Sequence, residues 1–236
     1  MTERQWRPPG VFDQAFLIGV DEVTEVLLIR HAKQDVDFAG ATMGEIIDPV
    51  LSDQGRQQAR LVGESLSAAK LDAIFTSTLK RAVQTAEAIA QHHRHLEMQV
   101  MDDLREVGVF RDIPGDKTAE EFLGEDLMEA VRLRMLNERS WDVYPHSESS
   151  YEFRKRAINS VETAIARSQG ERIAIVCHGG VINAYVAHII GSPYDMFFRP
   201  AHASINTVVA GGGRRVLRLL NDTHHLRTGE ADFLSY

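Results

Sequence analysis

The chain is expected to fold as a three-layer α/β protein: a mostly parallel sheet flanked by helices, with a helical cap insertion. Three observations carry this. Apolar runs that read as fully buried strands alternate with segments of helical periodicity. Two of those runs, Val26-Leu27-Leu28-Ile29 and Ile173-Ala174-Ile175-Val176-Cys177, each deliver a histidine, His31 (behind Arg30) and His178 (ahead of Gly179-Gly180). Between them lies a charged stretch, Asp102 to His146, too polar to be a core layer.

In chain order, the first apolar run is a strand that ends on Arg30-His31. Ala59, Val62 and Leu66 then recur at helical spacing, as do Ala82, Thr85, Ala86 and Ile89 after the next strand. Within the polar middle, Glu120 to Glu138 is expected to form one helix using Leu123, Leu127, Ala130 and Val131. Ser149 with Glu152 makes a capping box that opens a helix through Phe153, Ala157, Val161 and Ile165. Gly170 closes that segment before the strand at 172–177, and Gly191-Ser192-Pro193 breaks the helix after it. Gly211-Gly212-Gly213 reads as the turn of a hairpin between Ile205–Ala210 and Val216–Leu220. The 236 residues are read as one domain, 1–236, with an N-terminal arm (1–20) and a cap insertion (about 107–147).

Composition narrows the function. The hydrophobic fraction of 44% and charged fraction of 25% are those of a soluble globular protein. No apolar run reaches the roughly 20 residues that span a bilayer, and Met1 to Gly10 lacks the apolar centre of a signal peptide. The single cysteine, Cys177, rules out an internal disulfide and fits a cytoplasmic setting. It lies within an apolar strand and reads as an inert small hydrophobe. A net charge of −8 argues against nucleic acid as partner, because a phosphate backbone needs a basic face. A local basic pocket on such a surface would still draw in small anions. His92, His93 and His95 cannot all face one ion from a helix end, so they read as a solvated terminus. His224-His225 reads as tail.

Two strands ending on histidines place two imidazoles at the carboxyl edge of the sheet, where open α/β folds bind ligands. An arginine beside them suits a tetrahedral oxyanion better than a metal ion. Ser77 is positioned to cap the helix that follows, which leaves Arg81 in its first turn, where the helix dipole favours an anion. Gly179 lets backbone N–H groups approach an anion closely.

The order of the motifs goes further: Leu28-Ile29-Arg30-His31; Leu51-Ser52 with Gly55 and Gln58-Ala59; Ser77 with Arg81-Ala82 and Gln84-Thr85-Ala86; Leu104-Arg105-Glu106; Val176-Cys177-His178-Gly179-Gly180. This series, from about Val23 to Val186, resembles the histidine phosphatase superfamily, in its phosphoglycerate mutase-like branch. The resemblance implies catalytic roles for His31, Glu106, His178, Arg30 and Arg81. It implies phosphate binding by Arg30, Gln34, Arg81, His178 and Gly179. His31 would be the nucleophile that forms a phosphohistidine, and Glu106 the general acid and base. No metal or cofactor is implied, and the partner is a small phosphorylated substrate.

The chain departs from the family pattern in places. Ala32 stands where most members have glycine, tolerable if its φ is negative. Gln34 and Asp37 stand where mutase-like members usually have serine and asparagine. An aspartate facing phosphate would repel it, so Asp37 is expected to turn outward or be neutralised. Val107-Gly108-Val109-Phe110 follows the glutamate in place of the basic residues that grip a second anion in mutases. Hydrolysis is therefore expected, with isomerisation of the mutase kind or a non-catalytic phospho-ligand scaffold as alternatives. The arm through Phe16-Leu17-Ile18 and the terminal hairpin could support a homodimer or pack back on the same chain.

Overall fold

The computed structural model describes residues 10–38, 40–228 and 231–236. Its elements are α1 (Val11–Ala15), β1 (Thr24–Arg30), α2 (Met43–Ile47), α3 (Asp53–Leu66), β2 (Ala73–Thr76), α4 (Lys80–Ala90), β3 (Met98–Val100), α5 (Ala119–Leu123) and α6 (Glu125–Glu138). There follow α7 (Ser150–Arg167), β4 (Arg172–Cys177), α8 (Gly179–Ile190), β5 (Ile205–Gly211), β6 (Arg214–Asp222) and a short pair, β7 (Arg227–Thr228) and β8 (Ala231–Asp232). Six strands form one sheet in the order β3-β2-β4-β1-β5-β6. The first four run parallel, while β5 and β6 are antiparallel, so the sheet is mixed.

The unbroken apolar character of β1 has a simple cause: both faces of the sheet are covered. Val26 and Leu28 pack with Phe153, Val161, Val181 and Tyr185 of α7 and α8. Leu27 and Ile29, pointing the other way, pack with Val62 and Leu66 of α3 and Ala86 and Ile89 of α4. Each such side chain, once buried, contributes about 1.5–3 kcal/mol, so the central strands are clamped from both sides and their ends are held firmly.

Register then builds the edge. Arg30 pairs with Cys177 across β1 and β4, so His31 and His178 emerge side by side. Thr76 pairs with Val176, which brings Ser77 next to His178. Because β5 runs antiparallel to β1, with Ile205 opposite Ile29, the residues just before it, including His202, arrive at the same edge.

Four local expectations are corrected. The helix expected over 120–138 is broken at Gly124, whose φ of +87° no L side chain adopts cheaply. Only Val131 of α6 is fully buried and Leu127 is exposed, with Met128 partly buried against Phe110 and Ile113, so this helix docks by a narrower line than expected. The hairpin turn is shorter than expected: β5 runs through Gly211, and Gly212 and Gly213 alone turn the chain, both at positive φ. That conformation matches a two-residue type I′ loop, and β6 begins already at Arg214. His93 is not solvated but buried against α3, its Nε2 meeting the Leu66 carbonyl. His225 is not a loose tail residue either, since its Nε2 reaches the Ala203 carbonyl at 3.0 Å.

Residues 1–9 of the arm lie outside the described residues. The rest folds back on its own chain, with Arg214 and Arg218 of β6 donating to the carbonyls of Gln14 and Leu17. Among the described residues no helix is long and apolar enough to cross a membrane.

Candidate active site

At the carboxyl edge the His31 and His178 rings lie 5.0 Å apart, centroid to centroid. Both are buried. Nδ1 of His31 lies 2.8 Å from the carbonyl of Ala32. A carbonyl only accepts, so Nδ1 carries the proton and Nε2 presents its lone pair. Nε of Arg81 donates to that same Nε2 at 3.3 Å. Burial first, and then the positive surroundings of Arg81, His178, Arg30 and His202, hold the His31 pKa well below the usual histidine range. The ring is therefore neutral at neutral pH, oriented through Nδ1 and unprotonated at Nε2, where Arg81 meets its lone pair.

The motif residues around it act as a brace. The Ala32 N–H donates to Thr85 Oγ1 and the Lys33 N–H to Gln58 Oε1. Gln84 accepts from the Leu51 N–H, and Ser52 binds the Lys33 carbonyl while capping α3 through the Gly55 N–H. Gly55 is glycine because a methyl there would overlap the Lys33 carbonyl. Ala32 does not sit at positive φ, and its methyl is buried in the core below α3 and α4. The departure from glycine thus costs the fold nothing.

Arg81, in the first turn of α4, is buried and also donates from Nη1 to the Ile47 carbonyl at 3.1 Å. Ser77 is not the cap of this helix, which is Leu79; the α4 amide of Lys80 is instead met by Asp48 Oδ1 at 2.7 Å. Ser77 Oγ lies 2.9 Å from His178 Nε2 and accepts from the Leu79 N–H. Nδ1 of His178 and Nε of Arg30 are buried and have no hydrogen-bond partner among the described residues. Burial, and then the neighbouring Arg199 and Arg81 charges, lower the Arg30 pKa to about 10, partly offset by Glu106, so it remains a cation at neutral pH. Desolvation first, and then the charges of Arg81, Arg30, Arg156 and Arg105, hold His178 well below the usual histidine range and keep it neutral.

Glu106 follows a 3₁₀ turn (Asp102–Leu104) and is pinned through both carboxylate oxygens, by the N–H of Val107 and by the N–H of Gly180, each at 3.0 Å. A guanidinium secures the segment behind it. Arg156 uses all five of its donors: two on the Glu148 carboxylate, two on the carbonyls of Asp103 and Arg105, one on that of Glu106. Gly180 has its own necessity, because a methyl there would overlap Glu106 Oε1 and press on Phe153. Replacing Gly180 with alanine should displace that carboxylate. We expect about 100-fold slower release of phosphate from alkyl phosphates with an unchanged circular dichroism spectrum; an unchanged rate would show that the contact is slack.

Arg30, His31, Gln34, Arg81 and Glu106 line one cavity of about 490 Å³. His178 is not on its wall but stands behind His31, fully buried. Gly179 opens α8 beside Arg30, whose Nε would be 3.7 Å from an added methyl, an ordinary contact, so packing alone does not require glycine there. Asp37 is exposed and does not line the cavity. Cys177 is buried and desolvation pushes its thiol up, in keeping with an inert role.

Sequence reasoning missed His202, whose ring is 5.7 Å from that of His31. Burial, with Arg30, Lys33 and Arg199 nearby, lowers its pKa to about 3. Its signal was faint: His202 lies three residues ahead of the apolar strand β5, whereas His31 and His178 each directly follow one. The Arg156–Glu148 clamp was missed too.

The three site histidines, His31, His178 and His202, give a pH dependence with a definite sign. Their folded pKa values lie below that of the unfolded chain, near 6.5, so unfolding takes up protons below that pH. Stability is complete above pH 6.5 and is lost as pH falls, at about 1.4 kcal/mol per unit for each histidine. Urea unfolding should therefore show a fall of at least about 2 kcal/mol between pH 6.5 and 5.0. A flat profile would contradict the buried neutral rings.

The arrangement, neutral imidazole, two guanidinium groups and a carboxylate converging at one sheet edge, is that of a phosphoryl-transfer site. Comparison with known proteins agrees. The chain belongs to the histidine phosphatase superfamily (branch 1), which it matches over residues 26–223. It is 28% identical over 208 residues to the metal-independent phosphoserine phosphatase of Arabidopsis thaliana, covering 87% of this chain and 84% of that protein. It is 32% identical over 175 residues to the uncharacterized phosphatase PhoE of Bacillus subtilis, covering 74% and 81%. Among solved structures, Bacillus stearothermophilus YhfR superposes with a TM-score of 0.72 at 27% identity, covering 86% of this chain and 98% of that one.

Proposed function

We propose that the chain hydrolyses phosphomonoesters of small molecules through a phosphohistidine on His31. The observation that carries the reading is the state of His31: neutral, its Nδ1 tied to the Ala32 carbonyl and its Nε2 facing Arg81. In the first step Nε2 attacks phosphorus and the bond to the ester oxygen breaks, while Glu106 gives that oxygen its proton. In the second, Glu106 takes a proton from water, the water oxygen attacks phosphorus, and the Nε2–phosphorus bond breaks to release inorganic phosphate. Arg30 and Arg81 neutralise the equatorial oxygens, where charge concentrates. His178, held by Ser77 through Nε2, stands behind His31 with the two rings 5.0 Å apart and backs the nucleophile from outside the cavity wall. Relatives named as phosphatases, one of them metal-independent, support this reading.

A mutase needs a second anion site. Of the remaining cations on the cavity wall, Arg105 lies 3.6 Å from Asp102 and is half exposed, which favours water as the acceptor. The test is phosphate release from p-nitrophenyl phosphate and from 3-phosphoglycerate with a chelator present. Release from the nitrophenyl ester should change less than twofold with the chelator, and any product from 3-phosphoglycerate should be inorganic phosphate. Loss of activity restored by a divalent cation, or 2-phosphoglycerate as product, would overturn the reading.

A further inference from the structure

The cavity holding His31 is divided sharply by chemistry. Its ionised lining is confined to Arg30, Arg81, Arg105 and Glu106. On one side of the rest, α2 presents Met43, Ile46 and Ile47, three residues at helical spacing on one face. On the other, the cap presents Val109, Phe110, Trp141 and Tyr144. The cap side is built rather than incidental. Phe110 is held at φ +56°, an uncommon conformation for a bulky residue, with its ring edge-on to Tyr144 at 5.3 Å. It packs with Met43 and Ile113 in a small core shared by α2 and the cap. Backbone bonds from Met43 and Gly44 to the carbonyls of Lys117 and Gly115 tie the two sides together. At the mouth, Phe38 and Ile47 are more than half exposed although apolar. An exposed apolar rim around a catalytic cavity marks a surface that a ligand covers.

Resting on the hydrolytic reading above, we infer that the natural substrates are phosphomonoesters whose organic part is apolar and uncharged, an alkyl or aryl group rather than an amino acid or a glycerate. Arg30 and Arg81 are taken by the phosphoryl group, and Arg105, half exposed and 3.6 Å from Asp102, is a solvated charge at the cavity edge rather than a buried anion site. Among the described lining residues the only carboxylate is Glu106, pinned at the reacting end, so the ammonium of phosphoserine finds no counter-charge, only the neutral amide oxygen of Gln34 beside the phosphoryl end. Burying that ammonium or its carboxylate unpaired is costly, whereas each methylene placed between α2 and the cap gains apolar contact. This separates the chain from the phosphoserine phosphatases to which it is similar.

The experiment measures kcat/KM by phosphate release for n-alkyl phosphates from ethyl to hexyl, whose alcohols leave with nearly equal ease. Phosphoserine, 3-phosphoglycerate and p-nitrophenyl phosphate are run beside them. We expect kcat/KM to rise about fourfold per methylene and hexyl phosphate to exceed phosphoserine by at least about 100-fold. Replacing Phe38 with serine and Ile47 with asparagine, both at the exposed rim, should cut the rise to less than about twofold per methylene. Flat rates along the series, or phosphoserine or 3-phosphoglycerate turned over best, would overturn the substrate class while leaving hydrolysis standing. A slope undiminished in the double variant would overturn the assignment to this apolar rim. No phosphate from any ester, the nitrophenyl one included, would overturn the hydrolytic reading and this inference with it.

Discussion

Replacing His31 with alanine is expected to lower kcat/KM for every phosphomonoester by at least about 10⁴-fold, with the fold retained. Removing a nucleophile leaves only the field of Arg30 and Arg81, and effects of this size follow when one member of a cooperating set is lost. The loss to stability should be small by comparison. The imidazole makes a hydrogen bond to Ala32 and accepts one from Arg81, but it is buried among cations that do not favour its charge. Alanine removes the hydrogen bonds, worth about 1 kcal/mol each, and leaves the β1–β4 pairing untouched. Phosphate release and thermal unfolding measured on the same preparation separate the two effects. Residual hydrolysis within tenfold of the parent would remove His31 from the chemistry.

Glu106→Gln should separate substrates by leaving group. For alkyl phosphates, whose alkoxide must be protonated as it leaves, a drop of about 10³-fold is expected, within the usual range for general acid catalysis. A nitrophenolate departs without a proton, so its ester should slow by less than about tenfold at the first step. Glutamine keeps the shape and one acceptor oxygen, so it holds one of the two N–H donors, Val107 or Gly180, while its NH2 faces the other and loses that contact. Pre-steady-state release of nitrophenolate isolates that step. Equal slowing across leaving groups would give Glu106 a structural rather than a proton-transfer role.

Much of this site was legible because strand register is local information carried far. An apolar run ending on a histidine, met twice, forces two imidazoles together once β1 and β4 pair. The five ordered motifs also had physical content that the fold makes visible: Ser52, Gly55, Gln58, Gln84 and Thr85 brace the backbone that carries His31. His202 escaped notice because its approach depends on β5 running antiparallel to β1, a fact of topology rather than of local pattern. The Arg156 clamp escaped for a similar reason. Its acceptors are three carbonyls about 50 residues away, and any carbonyl looks alike in a sequence. The apolar spacing over Glu120–Glu138 suggests one helix because periodicity does not show the backbone angle of Gly124, whose positive φ ends one helix and begins another. His93 looked solvated beside its exposed neighbours until α3 packed over it.

The central claim is tested most directly by catching the covalent step. Protein mixed with a reactive phosphomonoester, quenched within milliseconds in alkaline denaturant and digested, should yield one phosphopeptide carrying an acid-labile, base-stable phosphoryl group on His31. A chain that releases phosphate at full rate while His31 stays unmodified, or that carries the phosphoryl group on His178 or His202 instead, would contradict the account.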